Sequence, residues 1–183
     1  MRAYTTTTAV WIRAMLADEY GVPADEVKWI TLEDGHVAGV SDPPGAQRTL
    51  PASDLLALLR DGLIDAAIVD RVAEGESVVP VVPDPEAACR GWQRRHGART
   101  LNHVIVVRET VAGDEQAMRE LFGLFRSSRE LAGSAVDLEA TPLGLRANRR
   151  NLEVAIDVAA AQGLLARPLT VDDLVTDVVA TLQ

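Results

Sequence analysis

The stretch RAYTTTTAVWIRAMLADEY, residues 2–20, combines a threonine-rich turn with an apolar helical pattern. Residues 2–4 are compatible with a strand, four threonines follow, and residues 9–16 are almost entirely apolar. We predict Thr7 or Thr8 as the N-cap, because a threonine hydroxyl can accept an N–H of the first helical turn. The remaining N–H groups and the helix dipole make this end partly positive. This order of elements indicates a candidate binding site for a carboxylate or phosphate, with an ordinary capped helix as the alternative.

Arg13 stands among apolar neighbours in the same predicted helix. A guanidinium in such surroundings needs a partner, because burying an uncompensated charge is costly. The side chain either reaches solvent along its stem or pairs with a carboxylate. Solvent or a protein carboxylate is favoured over the carboxylate of a ligand.

The composition excludes several classes of function. The chain has 183 residues, a net charge of −9 and a pI of about 4.8, which argues against nucleic-acid and anionic membrane partners. No transmembrane-length apolar run or signal-peptide pattern is seen, which predicts a cytoplasmic location. Cys89 is the single cysteine, and His36, His96 and His103 are widely spaced. We therefore predict no metal site.

Hydrophobic patterns alternate between strand and helix in the first half and favour helices in the second. Strands are predicted over residues 27–32, 63–69, 78–82 and 101–108, with a loop or weak hairpin over residues 33–51. Helices are predicted over residues 9–16, 54–60, 85–96, 114–131 and 146–162, with a last helix from Thr170. Ser53 and Asp84 are the predicted N-caps of the helices over 54–60 and 85–96. The pattern indicates an α/β protein, with two lobes favoured over one.

Four segments in order carry a family resemblance: YTTTTAVWIRAMLADEYGV (4–22), LLRDGLIDAAIV (58–69), LNHVIVVRE (101–109) and PLGLRANRRNLEVAIDVAAAQGLLARPLTVDDL (142–174). Their sequence and spacing resemble the 4,5-dihydroxyphthalate decarboxylase-like family. The resemblance implies an α/β fold like that of type 2 periplasmic binding proteins, in which two lobes enclose a ligand cleft. Members of this family are longer at the N-terminus, where the first lobe opens.

The resemblance therefore implies one complete lobe plus a partial second lobe rich in helices. Residues 1–82 would be a unit like lobe two, and residues 83–183 would supply the return strand and helices of an incomplete first lobe. Several apolar faces would then lack their usual cover. We expect a homo-oligomer, a complementing chain, or a truncated gene product.

The resemblance also implies a cofactor-independent carboxy-lyase, whose ligand is an aromatic dicarboxylate such as 4,5-dihydroxyphthalate. His103 is the candidate general acid, because imidazole groups titrate near neutral pH, with a structural histidine as the alternative. Arg13 is a candidate clamp for the diacid. The other candidate substrate-binding residues are Thr6, Thr7, Thr8, Trp11, Asn102, Asn148 and Arg149. For Trp11 a core position is the favoured alternative, and for Asn148 and Arg149 a surface role is at least as well supported.

Two other classes of function use the same features. A non-catalytic binding protein of this fold captures a small anion without turning it over, since fold does not fix function. An inactive remnant is the third reading, which the shortened first lobe favours.

Overall fold

The computed structural model describes residues 1–36, 39, 41–43, 45–48, 54–69, 71–133 and 142–182. Contacts group the chain into two units. The first unit contains residues 1–96 and 158–166, and the second contains residues 97–157 and 167–183. The division into periplasmic-binding-protein-like lobes over residues 1–82 and 83–183 stays a prediction.

The first unit joins three α-helices to a short parallel pair of strands. Its elements are α1 (Thr7–Tyr20), a 3-10 turn (Ala24–Glu26), β1 (Trp29–Thr31), β2 (Ala46–Arg48), α2 (Leu55–Arg60) and α3 (Pro85–His96). Trp29 is in register with Ala46, and the two strands run parallel. The strand predicted over residues 27–32 is confirmed in its central part. The hairpin alternative for residues 33–51 is wrong, because hairpin strands are antiparallel.

The helix ends follow local chemistry, with one correction to the predicted caps. Thr6 is the N-cap of α1, so the prediction of Thr7 or Thr8 is wrong by one or two residues. Asp54 caps α2 by accepting a hydrogen bond from the Leu56 N–H at 3.1 Å, and the predicted cap Ser53 lies outside the described residues. Asp84 is confirmed as the cap of α3, because its Oδ1 accepts from the Ala87 N–H at 2.9 Å.

The core of the first unit forms where the N-terminal residues meet β1. Met1, Tyr4 and Ala9 are buried there, and they pack against Trp29, Ala46, Ile68 and Leu164. Tyr4 and Trp29 meet edge to face, with ring centroids 6.5 Å apart. This packing fixes the turn that leads into the threonines, because Tyr4 directly precedes them.

The second unit is mainly helical. Its elements are α4 (Glu109–Ala112), α5 (Glu115–Ala132), most of α6 (Leu145–Ala161), a 3-10 turn (Val171–Leu174) and α7 (Asp177–Thr181). The helices predicted over residues 114–131 and 146–162 are confirmed to within one residue at each end. The helix predicted from Thr170 is only partly right. Thr170 and Asp173 form a capping box on the 3-10 turn, and Thr176 caps α7 separately.

Three predicted strands are absent from the structure. Residues 63–69, 78–82 and 101–108 form no ladder, and the sheet of the described chain consists of β1 and β2. Val104, Ile105 and Val106 are 61%, 65% and 82% exposed. β-branched residues favour an extended backbone, but a strand also needs a neighbouring backbone to pair with. The type 2 periplasmic-binding-protein-like fold stays a prediction.

Candidate functional site

The threonines at the start of α1 leave backbone donors open. The Thr6 hydroxyl donates to the Ala3 carbonyl at 3.1 Å and makes no capping bond to the helix. Thr7 is half-buried and Thr8 is exposed. Within the described ranges, no acceptor bonds the N–H groups of Thr7, Thr8 and Ala9. Open N–H groups and the helix dipole are the features that bind anions at helix ends, and the anion site predicted here stays a prediction.

Arg13, one and a half turns further along α1, is 1% exposed and is held by protein groups. Its Nε donates to Gln162 Oε1 at 2.7 Å and its Nη2 donates to the Tyr4 carbonyl at 2.9 Å. Its Nη1 lies 3.6 Å from the sulfur of Met1. The guanidinium carbon lies 3.8 Å from the centroid of the Tyr4 ring, which adds a cation–π contact.

The electrostatics of Arg13 are those of a desolvated cation. Burial lowers the pKa of Arg13 below its ordinary value, and interactions with Tyr4 and Asp42 oppose that change. No carboxylate in the described part of the chain forms an ion pair with it. The predicted reach to solvent is therefore wrong, and the protein carboxylate Asp42 acts on Arg13 through its charge without forming an ion pair. Its role as a ligand clamp stays a prediction, and a ligand would have to displace the present partners.

Trp11 packs in the interior of the first unit. Its ring meets the ring of Trp92 on α3 edge to face, with centroids 5.5 Å apart. Both indoles are buried. This geometry agrees with the core alternative, and stacking of Trp11 on a substrate ring stays a prediction.

A cluster that the sequence reasoning missed joins α1 to α3. Trp92 Nε1 donates to Asp18 Oδ2 at 2.9 Å, and His96 Nε2 lies 3.2 Å from the same oxygen. The Trp92 and His96 rings stack with centroids 4.1 Å apart. Arg95 forms an ion pair with Glu19 beside them. The i, i+4 spacing of Trp92 and His96 was the available signal, because it places both on one helix face.

The candidate residues of the second unit have two kinds of surroundings. Asn102 and His103 are exposed and make no hydrogen bond to a described residue. Asn148 Nδ2 donates to the carbonyls of Pro142 and Gly144 at 2.7 and 3.0 Å, which secures the turn before α6. Arg149 Nη2 donates to Asp172 Oδ1 at 2.7 Å on the surface, and this hydrogen bond raises the pKa of Arg149.

Asn151 is a buried polar residue that the sequence reasoning did not single out. Its Oδ1 accepts from the Arg99 N–H at 2.8 Å, and its Nδ2 donates to Asn148 Oδ1 at 3.2 Å. An asparagine inside an amphipathic helix, three residues after another, was the signal for this pair. The two side chains tie α6 to the backbone of Arg99.

The predicted site residues are divided between the two units. Five of them belong to the first unit, namely Thr6, Thr7, Thr8, Trp11 and Arg13. The other four belong to the second unit, namely Asn102, His103, Asn148 and Arg149.

Among the described residues no group of three or more His, Cys, Asp or Glu side chains is arranged to hold a metal ion. None of the described helices has the length and apolarity needed to span a bilayer.

The comparison with protein-family models finds no match. The chain is 29% identical over 127 residues to a 4,5-dihydroxyphthalate decarboxylase from Comamonas testosteroni. That alignment covers 60% of this chain and 37% of the relative, so the chain spans little more than a third of the relative's length. This level of similarity supports a distant relationship.

Proposed function

We propose that this chain is a cofactor-independent carboxy-lyase that acts on an aromatic dicarboxylate such as 4,5-dihydroxyphthalate, giving protocatechuate and carbon dioxide. The observation that carries the proposal is the 29% identity to the decarboxylase from Comamonas testosteroni over 127 residues. The open N–H groups at the start of α1 support it, because the product of this reaction keeps one carboxylate that needs an anion seat.

The chemistry requires a proton donor and no organic electron sink. A ring hydroxyl para to the departing carboxylate pushes electron density to the carbon that carries it, and a general acid protonates that carbon. The bond to the carboxylate then breaks, carbon dioxide leaves, and the electron pair of that bond restores the aromatic ring. His103 is the proposed acid, because it is exposed and no hydrogen bond to a described residue occupies its ring.

The proposed binding role of α1 lies with backbone donors rather than with its arginine. The N–H groups of Thr7 and Thr8 would hold the retained carboxylate. Arg13 would support them indirectly, because its bond to the Tyr4 carbonyl fixes the turn that precedes the threonines. Asn102 would orient the substrate beside His103.

Incubation of the purified protein with 4,5-dihydroxyphthalate tests the proposal, with carbon dioxide and protocatechuate as the measured products. We expect turnover in the wild type and in His36→Ala, and a loss of at least about a hundredfold in His103→Ala, the usual contribution of a general acid. His36 is a matched control because it is also an exposed histidine. Binding of the diacid without release of carbon dioxide would contradict the lyase proposal and identify a protein that captures small anions.

A further inference from the structure

Asn148 and Asn151 form a chain of hydrogen bonds at the start of α6. Asn148 Nδ2 donates to the carbonyls of Pro142 and Gly144. Asn148 Oδ1 accepts from Asn151 Nδ2 at 3.2 Å, and Asn151 Oδ1 accepts from the Arg99 N–H at 2.8 Å. The chain of bonds therefore connects the turn before α6 to the backbone at Arg99.

The backbone groups at the two ends fix the direction of this chain of bonds. A backbone N–H can only donate and a carbonyl can only accept, so each amide side chain has one orientation that satisfies both of its neighbours. Asn151 is 6% exposed, and a buried amide that loses a partner leaves an unsatisfied group that water does not reach. The two asparagines therefore hold the Arg99 N–H at a fixed point of α6.

The backbone that follows Arg99 carries Asn102 and His103. No backbone hydrogen bond joins residues 102–107 to a described residue. At the far end of this segment the Arg108 carbonyl accepts from two N–H groups of α4, each at 2.9 Å. The position of His103 therefore depends on the bonds that hold the backbone on either side of it, at Arg99 and at Arg108.

We propose that Asn151 is a positioning residue for His103, which the proposed function assigns as the general acid. Its bond to the Arg99 N–H fixes where the segment that carries His103 passes α6, and Asn148 keeps its amide in the required orientation. This inference rests on the proposed function, because it states how the fold holds the acid of that reaction. It gives Asn148 an indirect role, since both of its amide protons are engaged by the turn before α6.

Turnover of 4,5-dihydroxyphthalate by Asn151→Ala tests the positioning role. We expect kcat to fall about tenfold, because a displaced proton donor loses part of its effect. KM should change by less than about twofold, because the proposed contacts of the retained carboxylate lie at α1. An unchanged kcat in a folded Asn151→Ala protein would overturn the proposal.

Val154→Ala is the matched structural control. Val154 is a buried residue of the same helix, three positions after Asn151, and it makes no hydrogen bond to Arg99 through its side chain. Its removal should destabilise α6 and leave kcat at the wild-type value. An equal fall of kcat in Val154→Ala would overturn the proposal, because kcat would then follow the stability of α6 rather than the bond to Arg99.

Asn148→Ala keeps the test decisive if Asn151→Ala does not fold. It should lower kcat by a smaller factor than Asn151→Ala. The double variant should be no slower than Asn151→Ala, because both changes break one chain of bonds. A higher KM with unchanged kcat in Asn148→Ala would indicate direct contact with the substrate and overturn its indirect role.

Amide hydrogen exchange separates this inference from the proposed function. Exchange of the Arg99 N–H should become at least about tenfold faster in Asn151→Ala, because the bond that protects it is lost. Unchanged exchange would overturn the anchoring of the segment by Asn151. Absence of turnover in the wild type would overturn the proposed function and the role of His103 with it, whereas faster exchange would still establish that Asn151 anchors the segment.

Discussion

Arg13 and the segment over residues 104–106 have environments that are the reverse of what their side chains prefer. Arg13 is charged and almost wholly buried, whereas Val104, Ile105 and Val106 are apolar and mostly exposed. The difference lies in the available partners. An amide oxygen, a backbone carbonyl and an aromatic face surround Arg13, while no described backbone pairs with the apolar segment. The available bonding partners, rather than side-chain type alone, determine that Arg13 is buried and that the apolar segment is exposed.

The exposed apolar segment over residues 104–106 is also relevant to association with another chain. Contiguous exposed apolar side chains mark contact surfaces in many proteins. They agree with the expected association with a second copy or with a complementing chain, which stays a prediction.

The largest effect is expected from breaking the contacts of Arg13. Arg13→Ala should lower the free energy of unfolding by about 3 kcal/mol, because several buried partners lose a charged donor at once. Urea denaturation followed by circular dichroism measures the change. Arg94→Ala, at an exposed arginine of α3, is the control and should change stability by less than about 0.5 kcal/mol. A similar small change in Arg13→Ala would show that the contacts of Arg13 add nothing.

A smaller effect is expected from the amide that faces Arg13. Gln162 accepts from Arg13 Nε and donates to the Val10 carbonyl at 2.9 Å, so Gln162→Leu should cost about 1–2 kcal/mol. The exposed Gln47→Leu serves as the control. The double variant Arg13→Ala/Gln162→Leu should cost less than the sum of the single changes, because both remove the same hydrogen bond. Full additivity would argue that the two residues act independently.

The smallest effect is expected in the exposed segment. Val106→Thr should change the free energy of unfolding by less than about 0.5 kcal/mol, because the added hydroxyl faces water. Val154→Thr places the same hydroxyl at a buried position of α6 and should cost about 1–2 kcal/mol. Equal costs at the two positions would contradict the exposure of residue 106 and indicate that it is covered in solution.

Helices were predictable from this sequence where local chemistry decides them. Asp84 with Pro85 marks the start of α3, and the apolar face that includes Met118 marks α5. The strand over residues 101–108 was not predictable in the same way, because strand formation depends on a partner distant in the sequence. The parallel pairing of Trp29 with Ala46 was missed for the same reason.

The position of the helix end in the candidate site could be predicted from the sequence, but the contacts of the nearby side chains could not. The threonine run located the end of α1 to within two residues, since N-capping is a local preference. The surroundings of Arg13 include Gln162, which lies 149 residues further along the chain, so no local pattern could identify it. Asp42 carries no motif at all, and the burial of its Oδ1 without a hydrogen-bond donor is seen only in the three-dimensional structure.

The distribution of indole rings gives this protein a built-in optical label. Trp11, Trp29 and Trp92 are the three tryptophans of the chain, and all of them belong to the first unit. Intrinsic fluorescence therefore follows that unit alone, whereas the far-ultraviolet signal of helices also follows α5 and α6. Melting curves recorded in both channels would reveal whether the two parts of the molecule lose their structure in one cooperative event or in succession.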